Sequence, residues 1–576
     1  MSGMVGFPNF LSYDINPGLS PSMAPAYSPA SYPTMVTSAN GQTMGGKDYT
    51  DVRVYHNPAG DTVQAEEQIA INPTNPQNMI ISANTIVGEQ GYYVSSDGGN
   101  TWQGANSLPT IHNTTTILGD PSVAFDAQGN AYISTLKYYN SHDADGYYVI
   151  KSSNGGTSWN NKVPGLSYSS PGFDKEMITG DPNSNHLYAV WDSVHVVSNT
   201  DANVKINFNY SIDGGQNFST PKHLSQAHNG FGPDVAVGPS GQIYVCWEDL
   251  GTGSDPSKFH PSKGIMFDES TDGGMNFNGP FKAFSVNGMD PNGNQGDPNF
   301  HNTRVNDAPS IAVDLSNDSH QGRIYIAYAE EVNGKSVIRV RHSDDEGTSW
   351  SSPVTVSGPN AVQAWFPWIA VARSTGIVSV AYYYMNFSSN WSTDTWVAYS
   401  FDGGQTFQTS KVSDVSHVTE PIDNSCSTCN FAISYAGDYI GIAAMDSSAW
   451  ATWADQRNGM WQVYVSRIDY VTVPLNFTLT GPTKLANGEQ GTWTASAYGG
   501  TPGYTYNWQY YYICKTTTQP DCPGCGQACG QWFYGGSAST FQLSASTVYA
   551  GVNVKVTVTD QAGTRKTKEA AFCQFY

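Results

Sequence analysis

Positive charge is scarce in this chain: 26 lysines and arginines stand against 48 aspartates and glutamates among 576 residues, a formal net charge of −22. No run or stripe of cations occurs. Phosphate neutralisation needs clustered cations, so nucleic acid is excluded as a partner and an anionic membrane surface is disfavoured. No window approaches the roughly 20 apolar residues of a membrane helix. The first residues have neither the cationic nor the apolar segment of a signal peptide. Nucleotide-binding loops, zinc-protease helices and Gly-x-Ser-x-Gly elbows are all missing. Only 13% of residues are charged, while Gly, Ser, Thr, Asn and Tyr abound, which suits an all-β protein with many turns.

What is present is a repeat. Ser95-Ser-Asp97-Gly-Gly-Asn-Thr-Trp102 returns at Ser152–Trp159, Ser211–Phe218, Ser270–Phe277, Ser343–Trp350 and Ser400–Phe407. The shared pattern is Ser-x-Asp-x-Gly-x-x-Trp/Phe, with Asn154 in the place taken elsewhere by Asp97, Asp213, Asp272, Asp345 and Asp402. Five intervals separate the six octets, four of 57–59 residues and one of 73. A near-constant period of this size specifies a repeat architecture. In each octet the Asp or Asn accepts from backbone N–H groups further on, the glycines allow positive φ, and the aromatic opens the next strand.

Around each octet the apolar pattern reads as four short strands. Innermost strands begin near Ile69, Val123, Met177, Val235, Ile311, Ile369 and Ile440. Seven innermost strands against six octets leave a last unit, Gly437–Ile468, short of its fourth strand, which Asp51–Tyr55 can supply. The expectation is a seven-bladed β-propeller over 48–470, behind a Pro/Ser-rich extended or disordered leader (1–47). A separate β-rich domain, 471–576, follows.

The octet resembles the Asp box (BNR repeat) of the sialidase-like β-propellers. That resemblance implies a structural box on the face away from the active site. Sialidases of that superfamily clamp a carboxylate with three arginines, use a Tyr–Glu nucleophile and an Asp acid/base, and carry Arg-Ile-Pro ahead of the first box. No Arg-Ile-Pro occurs here, and only Arg304 and Arg457 fall in loops of the expected functional face. Sialidase activity is therefore disfavoured. The tail, with Gly499-Gly-Thr-Pro-Gly-Tyr504 and Val556-Thr-Val-Thr-Asp560, resembles PKD or bacterial Ig-like modules.

The face opposite the boxes gathers acids at the starts of innermost strands: Glu66, Glu67, Asp120, Asp174, Glu176, Asp234, Asp307 and Asp438. They read either as strand caps or as a cation or sugar site, with Asp120, Asp307 and Glu176 as catalytic candidates. Trp365, Trp368 and Trp391 crowd one part of this face as a candidate aromatic platform. Asp290, Asn292, Asn294 and Asp297 alternate as calcium-loop oxygens do, although Gln295 stands where an EF-hand needs Gly. The competing reading is a solvated turn.

Cys246 reads as a buried thiol and Cys426-x-x-Cys429 as a local disulfide. In the tail, Cys514, Cys522, Cys525, Cys529 and Cys573 read as disulfide cysteines. Zinc at Cys522-Pro-Gly-Cys525 is the disfavoured alternative in an exported protein. The leading expectation is an extracellular or cell-surface protein that recognises a glycan or surface polymer. A glycoside hydrolase is the first alternative. A structural subunit assembling through leader and tail is the second.

Overall fold

The computed structural model describes residues 35–37, 43–45 and 50–572, except 57–60, 86–88, 110, 112–116, 141–142, 161, 168–172, 199–200, 226–228, 252–261, 290–297, 359–360, 388–389, 423–434, 471–474, 499–503, 515–531, 546–548 and 561–562. The calcium-type run Asp290–Asp297 and Cys426, Cys429, Cys522, Cys525, Cys529 and Cys573 lie outside the described residues, as does the side chain of Cys514. Of the leader, only a two-stranded ribbon, Met35–Thr37 with Thr43–Gly45, is described. No described helix is long and apolar enough to cross a membrane.

The chain divides into two compact units, Met1–Asp469 and Tyr470–Tyr576. In the first, antiparallel sheets follow one another in chain order. Their initial strands are Gln64–Ile71, Ile117–Phe125, Phe173–Gly180, Asn229–Val237, Ser310–Val313, Gln363–Val371 and Gly441–Met445. Each sheet runs outward through four strands, and the sixth carries a short addition, His417–Val418. The last sheet takes its fourth strand from far upstream, where Val52–Arg53 pairs with Gln462–Asp469. Initial strands pack on their neighbours in sequence, and Gly441–Met445 packs on Gln64–Ile71, so the sheets close into a propeller ring.

The octets join the third and fourth strands and have one geometry throughout. In the first, Ser95 Oγ lies 2.8 Å from Asp97 Oδ1 and accepts from Gly99 N–H at 2.9 Å. Asp97 accepts from Thr101 N–H at 2.9 Å and from its hydroxyl at 2.6 Å. The backbone bond recurs at Asn154, Asp213, Asp272, Asp345 and Asp402; beside it the aspartates accept from the side chains of Asn217, Asn276, Ser349 and Thr406, while Asn154 donates to Ser158 Oγ. The octets also hold sheet to sheet. Asn78 donates to Gly155 O, Lys151 to Gly214 O, Arg323 to Gly403 O and Trp450 to Gly98 O. Each bond links an octet to the sheet before it, around the closure. Octet aromatics do likewise: Trp159 meets Tyr92 edge-on at 5.8 Å, and Phe277 meets Phe208 at 4.8 Å.

Where five octets place two left-handed glycines, the fifth has Glu346 at φ 55°. A side chain there costs roughly 1–2 kcal/mol. Glu346 is exposed and makes one 3.3 Å contact, from Gln242. Glu346→Gly is therefore expected to stabilise the protein by about 1 kcal/mol, read as a higher denaturant midpoint with unchanged slope.

The second unit is a two-sheet sandwich. Asn476–Thr480, Gln490–Tyr498 and Thr540–Ser544 form one sheet. Phe533–Gly536, Thr505–Cys514, Tyr549–Thr559 and Arg565–Phe572 form the other. Trp493, Trp508, Phe541, Val554 and Val556 fill the core between them.

Candidate active site

The initial strands share a device that no periodicity announced. In five of them the ladder register shifts at a bulge. One residue of each bulge is left-handed: Glu66, Asp120, Lys175, Gly232 and Phe366, with φ between 51° and 59°. Gly437 (φ 87°) occupies the matching place ahead of Gly441–Met445. Bulges re-aim side chains, and left-handed non-glycine residues cost of order 1–3 kcal/mol each and concentrate at functional sites. These bulges lie at the strand ends remote from the octets. Three of them turn Glu66, Asp120 and Lys175 toward one another.

Lys175 is the hub. Its Nζ lies 2.6 Å from Asp438 Oδ2 and 3.7 Å from both Glu66 Oε1 and Asp120 Oδ2. Arg304 clasps Asp438 from the other side, through Nε to Oδ1 at 3.1 Å and NH2 to Oδ2 at 2.5 Å. Asn84 donates to Glu66 Oε2 at 2.6 Å. Lys175 N–H donates to Asp120 at 3.2 Å and to Asp174 at 3.0 Å. Tyr439, whose hydroxyl donates to Pro121 O, lies under the Lys175 ammonium at 5.5 Å. Glu66 and Asp120 are 2% and 1% exposed, Lys175 4%, and Arg304 and Asp438 6% each; Asp174 is half-buried.

Protons are distributed unequally here. Burial opposes charge on every member, and the outcome depends on what offsets it. At Asp120, Lys175 and hydrogen bonds from Asp174 and Glu66 outweigh burial and hold the carboxyl below its usual range. At Asp438, Arg304 and then Lys175 do the same. Burial wins at Glu66 and Asp174, which are pushed well up and donate to Asp120. Glu176, fully buried, is also pushed well up, by burial and then by Asp120. Burial likewise lifts Asp192 to about 8. The four acids around Lys175 outweigh its own burial and raise its pKa.

The other sequence candidates lie elsewhere. Asp307 belongs to a second buried group with Glu248 and is raised to about 7 by burial. Asp234 is a stitch between sheets, accepting from Ile311 N–H at 2.9 Å and Ser310 Oγ at 3.1 Å. Trp365 is 1% exposed and packed between Phe300 and Tyr383, so it presents no platform. Trp368 leans on Tyr439 at 5.8 Å, and Trp391 stacks on His301 at 5.0 Å. Arg457 serves ring closure: it binds Asp455, Asp51 and Asp414 and covers Tyr464 at 4.0 Å. No three arginines converge among the described residues. Nor do three or more His, Cys, Asp or Glu form a metal-holding group there. Cys246 is a buried free thiol.

Lys175, Tyr439 and Asn84 were not candidates from sequence. The triplet Asp174-Lys175-Glu176, a lone cation among acids at a strand start, was the available signal.

No family model matches the chain, and no curated protein matches it. Solved structures resembling it include an α-L-arabinanase of Penicillium chrysogenum complexed with arabinobiose, 10% identical with TM-score 0.40, covering 73% of this chain and 98% of that one. A family GH93 α-L-arabinofuranosidase of Fusarium graminearum is 12% identical with TM-score 0.40, covering 73% and 98%. A protein of unknown function from Dyadobacter fermentans is 16% identical with TM-score 0.39, covering 58% and 93%. At such values none of them bears on what this chain does.

Proposed function

We propose that this chain is an exported, carbohydrate-active propeller of seven blades, six of them carrying Asp boxes, whose ring centre hydrolyses a glycosidic bond. The observation that carries this reading is the meeting of the Asp120, Glu66 and Asp174 carboxyls beside one ammonium. Glycoside hydrolysis needs one carboxyl that gives a proton to the leaving oxygen and one carboxylate that attacks or activates water. Asp174, the half-buried member, is the proton donor in this reading, and Asp120 is the carboxylate. At rest the two side chains share a hydrogen bond. A sugar oxygen therefore enters by displacing that bond. Lys175 and Arg304 keep the neighbouring charges fixed while it does.

The near-complete burial of Glu66 and Asp120 favours a second reading, glycan recognition without turnover, with the ligand resting nearer Trp391 and Trp368. Assay of the full chain on a panel of aryl glycosides and polysaccharides separates the two. Turnover that falls about 10³-fold in Asp174→Asn and Asp120→Asn, with binding retained, is the expected result. Binding with no turnover in the unaltered protein would make it a recognition protein.

A further inference from the structure

We infer that the outward face of the C-terminal sandwich binds an uncharged polysaccharide chain. In the sheet built on Thr505–Cys514, alternate residues serve opposite faces. Trp508, Val554 and Val556 point into the core. The residues between them point out. Antiparallel partners share a face, so Tyr534, Gln509, Lys555 and Glu569 form one row across all four strands. Tyr511 and Asn553 form the row beside it.

This face is aromatic where a surface is ordinarily polar. Tyr534 is 69% exposed. Trp532 receives Tyr511 edge-on at 4.5 Å and rests over the Lys555 ammonium at 4.0 Å. Trp532 and Tyr511 are half-buried, and aromatic rings with a few placed polar groups suit a ligand that has apolar C–H faces and hydroxyl edges. The polar groups are already oriented. Asn553, 8% exposed, donates to Tyr511 OH at 2.7 Å and to Glu569 Oε1 at 2.6 Å, while its own Oδ1 has no partner.

Charge selects the ligand class. The whole chain carries −22, yet the outward rows hold one carboxylate, Glu569, already bonded, against Lys555 drawn over Trp532 and Arg565 at the strand's beginning. A nearly balanced face offers no field to attract a polycation or a polyanion. It fits a neutral chain of hydroxylated rings.

The test is affinity electrophoresis of the full chain through gels containing soluble starch, xylan, mixed-linkage glucan, arabinan or, as the anionic control, alginate, each run with and without 0.5 M salt (about a 4–5 Å Debye length). Retardation in at least one neutral gel, insensitive to salt, is expected. The double variant Trp532→Ala/Tyr534→Ala should weaken it by about tenfold or more, with Gln509→Ala as a milder second probe. No retardation in any gel, or retardation unchanged in the double variant, would overturn the inference. So would salt-sensitive binding to alginate alone, or a monomer–dimer shift caused by the double variant in sedimentation. Asp120→Asn should leave retardation by this face intact, so a failure of hydrolysis is distinguishable from a failure here.

Discussion

Lys175→Met is expected to destabilise the propeller by about 3–5 kcal/mol at pH 7, the cost of removing one partner from a buried ion pair. The upper end applies here because one ammonium faces Glu66, Asp120 and Asp438 at once, under nearly complete burial. Methionine fills a similar volume, so the loss comes from stranded charge and not from a cavity. Arg304 still holds Asp438, while Asp120 loses its principal counter-ion and must take up a proton or face its neighbours unpaired. The defect should therefore shrink in acid. Guanidinium unfolding followed by tryptophan fluorescence at pH 4.5 and pH 8 tests both points. A loss below about 1 kcal/mol at both values, as for an exposed pair, would show that the ammonium is not what holds the acids together.

The unaltered protein should be most stable in mild acid. Burial lifts Asp192, Glu67 and Asp51 to about 8, Asp307 to about 7 and Asp234 to about 6. Unfolded, the same groups titrate near 4. Between those values the folded chain holds more protons than the unfolded one, so stability falls as pH rises from about 4 to 8. Each group contributes up to about 1.4 kcal/mol per pH unit while it titrates. Asp120 and Asp438, held below their usual range, work the other way: their stabilisation is present above about pH 4 and is lost in stronger acid. The raised pKa of Lys175 matters only above its ordinary range near 10. Thermal midpoints across pH 3–9 should thus peak near pH 4–5. A flat profile, or a peak at pH 7–8, would mean that these acids are solvated in the folded protein.

Why some of this was legible in the sequence and some was not follows from the range of each interaction. An octet is local chemistry: Ser95, Asp97 and Thr101 satisfy one another within one turn, so six copies announce themselves. Strand alternation and the need for a closing strand are nearly as local, and Val52–Arg53 could be sought once the units were counted. The second glycine of the octet was readable only as a turn residue. Its other role depends on the preceding sheet, since a Cβ on Gly156 would lie 2.6 Å from Val94 Cγ2 and one on Gly274 2.5 Å from Phe208 Cε1. The ring-centre cluster is less legible still. Glu66, Asp120, Lys175, Arg304 and Asp438 come from five different parts of the ring, and only closure makes them neighbours. Sequence could place acids on that face but could not separate Asp234, which stitches strands, from Asp120, which accepts protons. Nor could it tell the packed Trp365 from the loop residue Trp391.

Two residues, Val52 and Arg53, complete a sheet whose other strands are made some 400 residues later, about 20–80 s of synthesis at 5–20 residues per second. Until then the first sheet lacks its neighbour, and the acids destined for Lys175 and Arg304 stay in water. The first strand of the ring must wait for the last. Closure, and with it any chemistry at the ring centre, cannot precede synthesis of Gln462–Asp469: a chain truncated before Gln462 should carry every candidate residue of the ring and yet have no site.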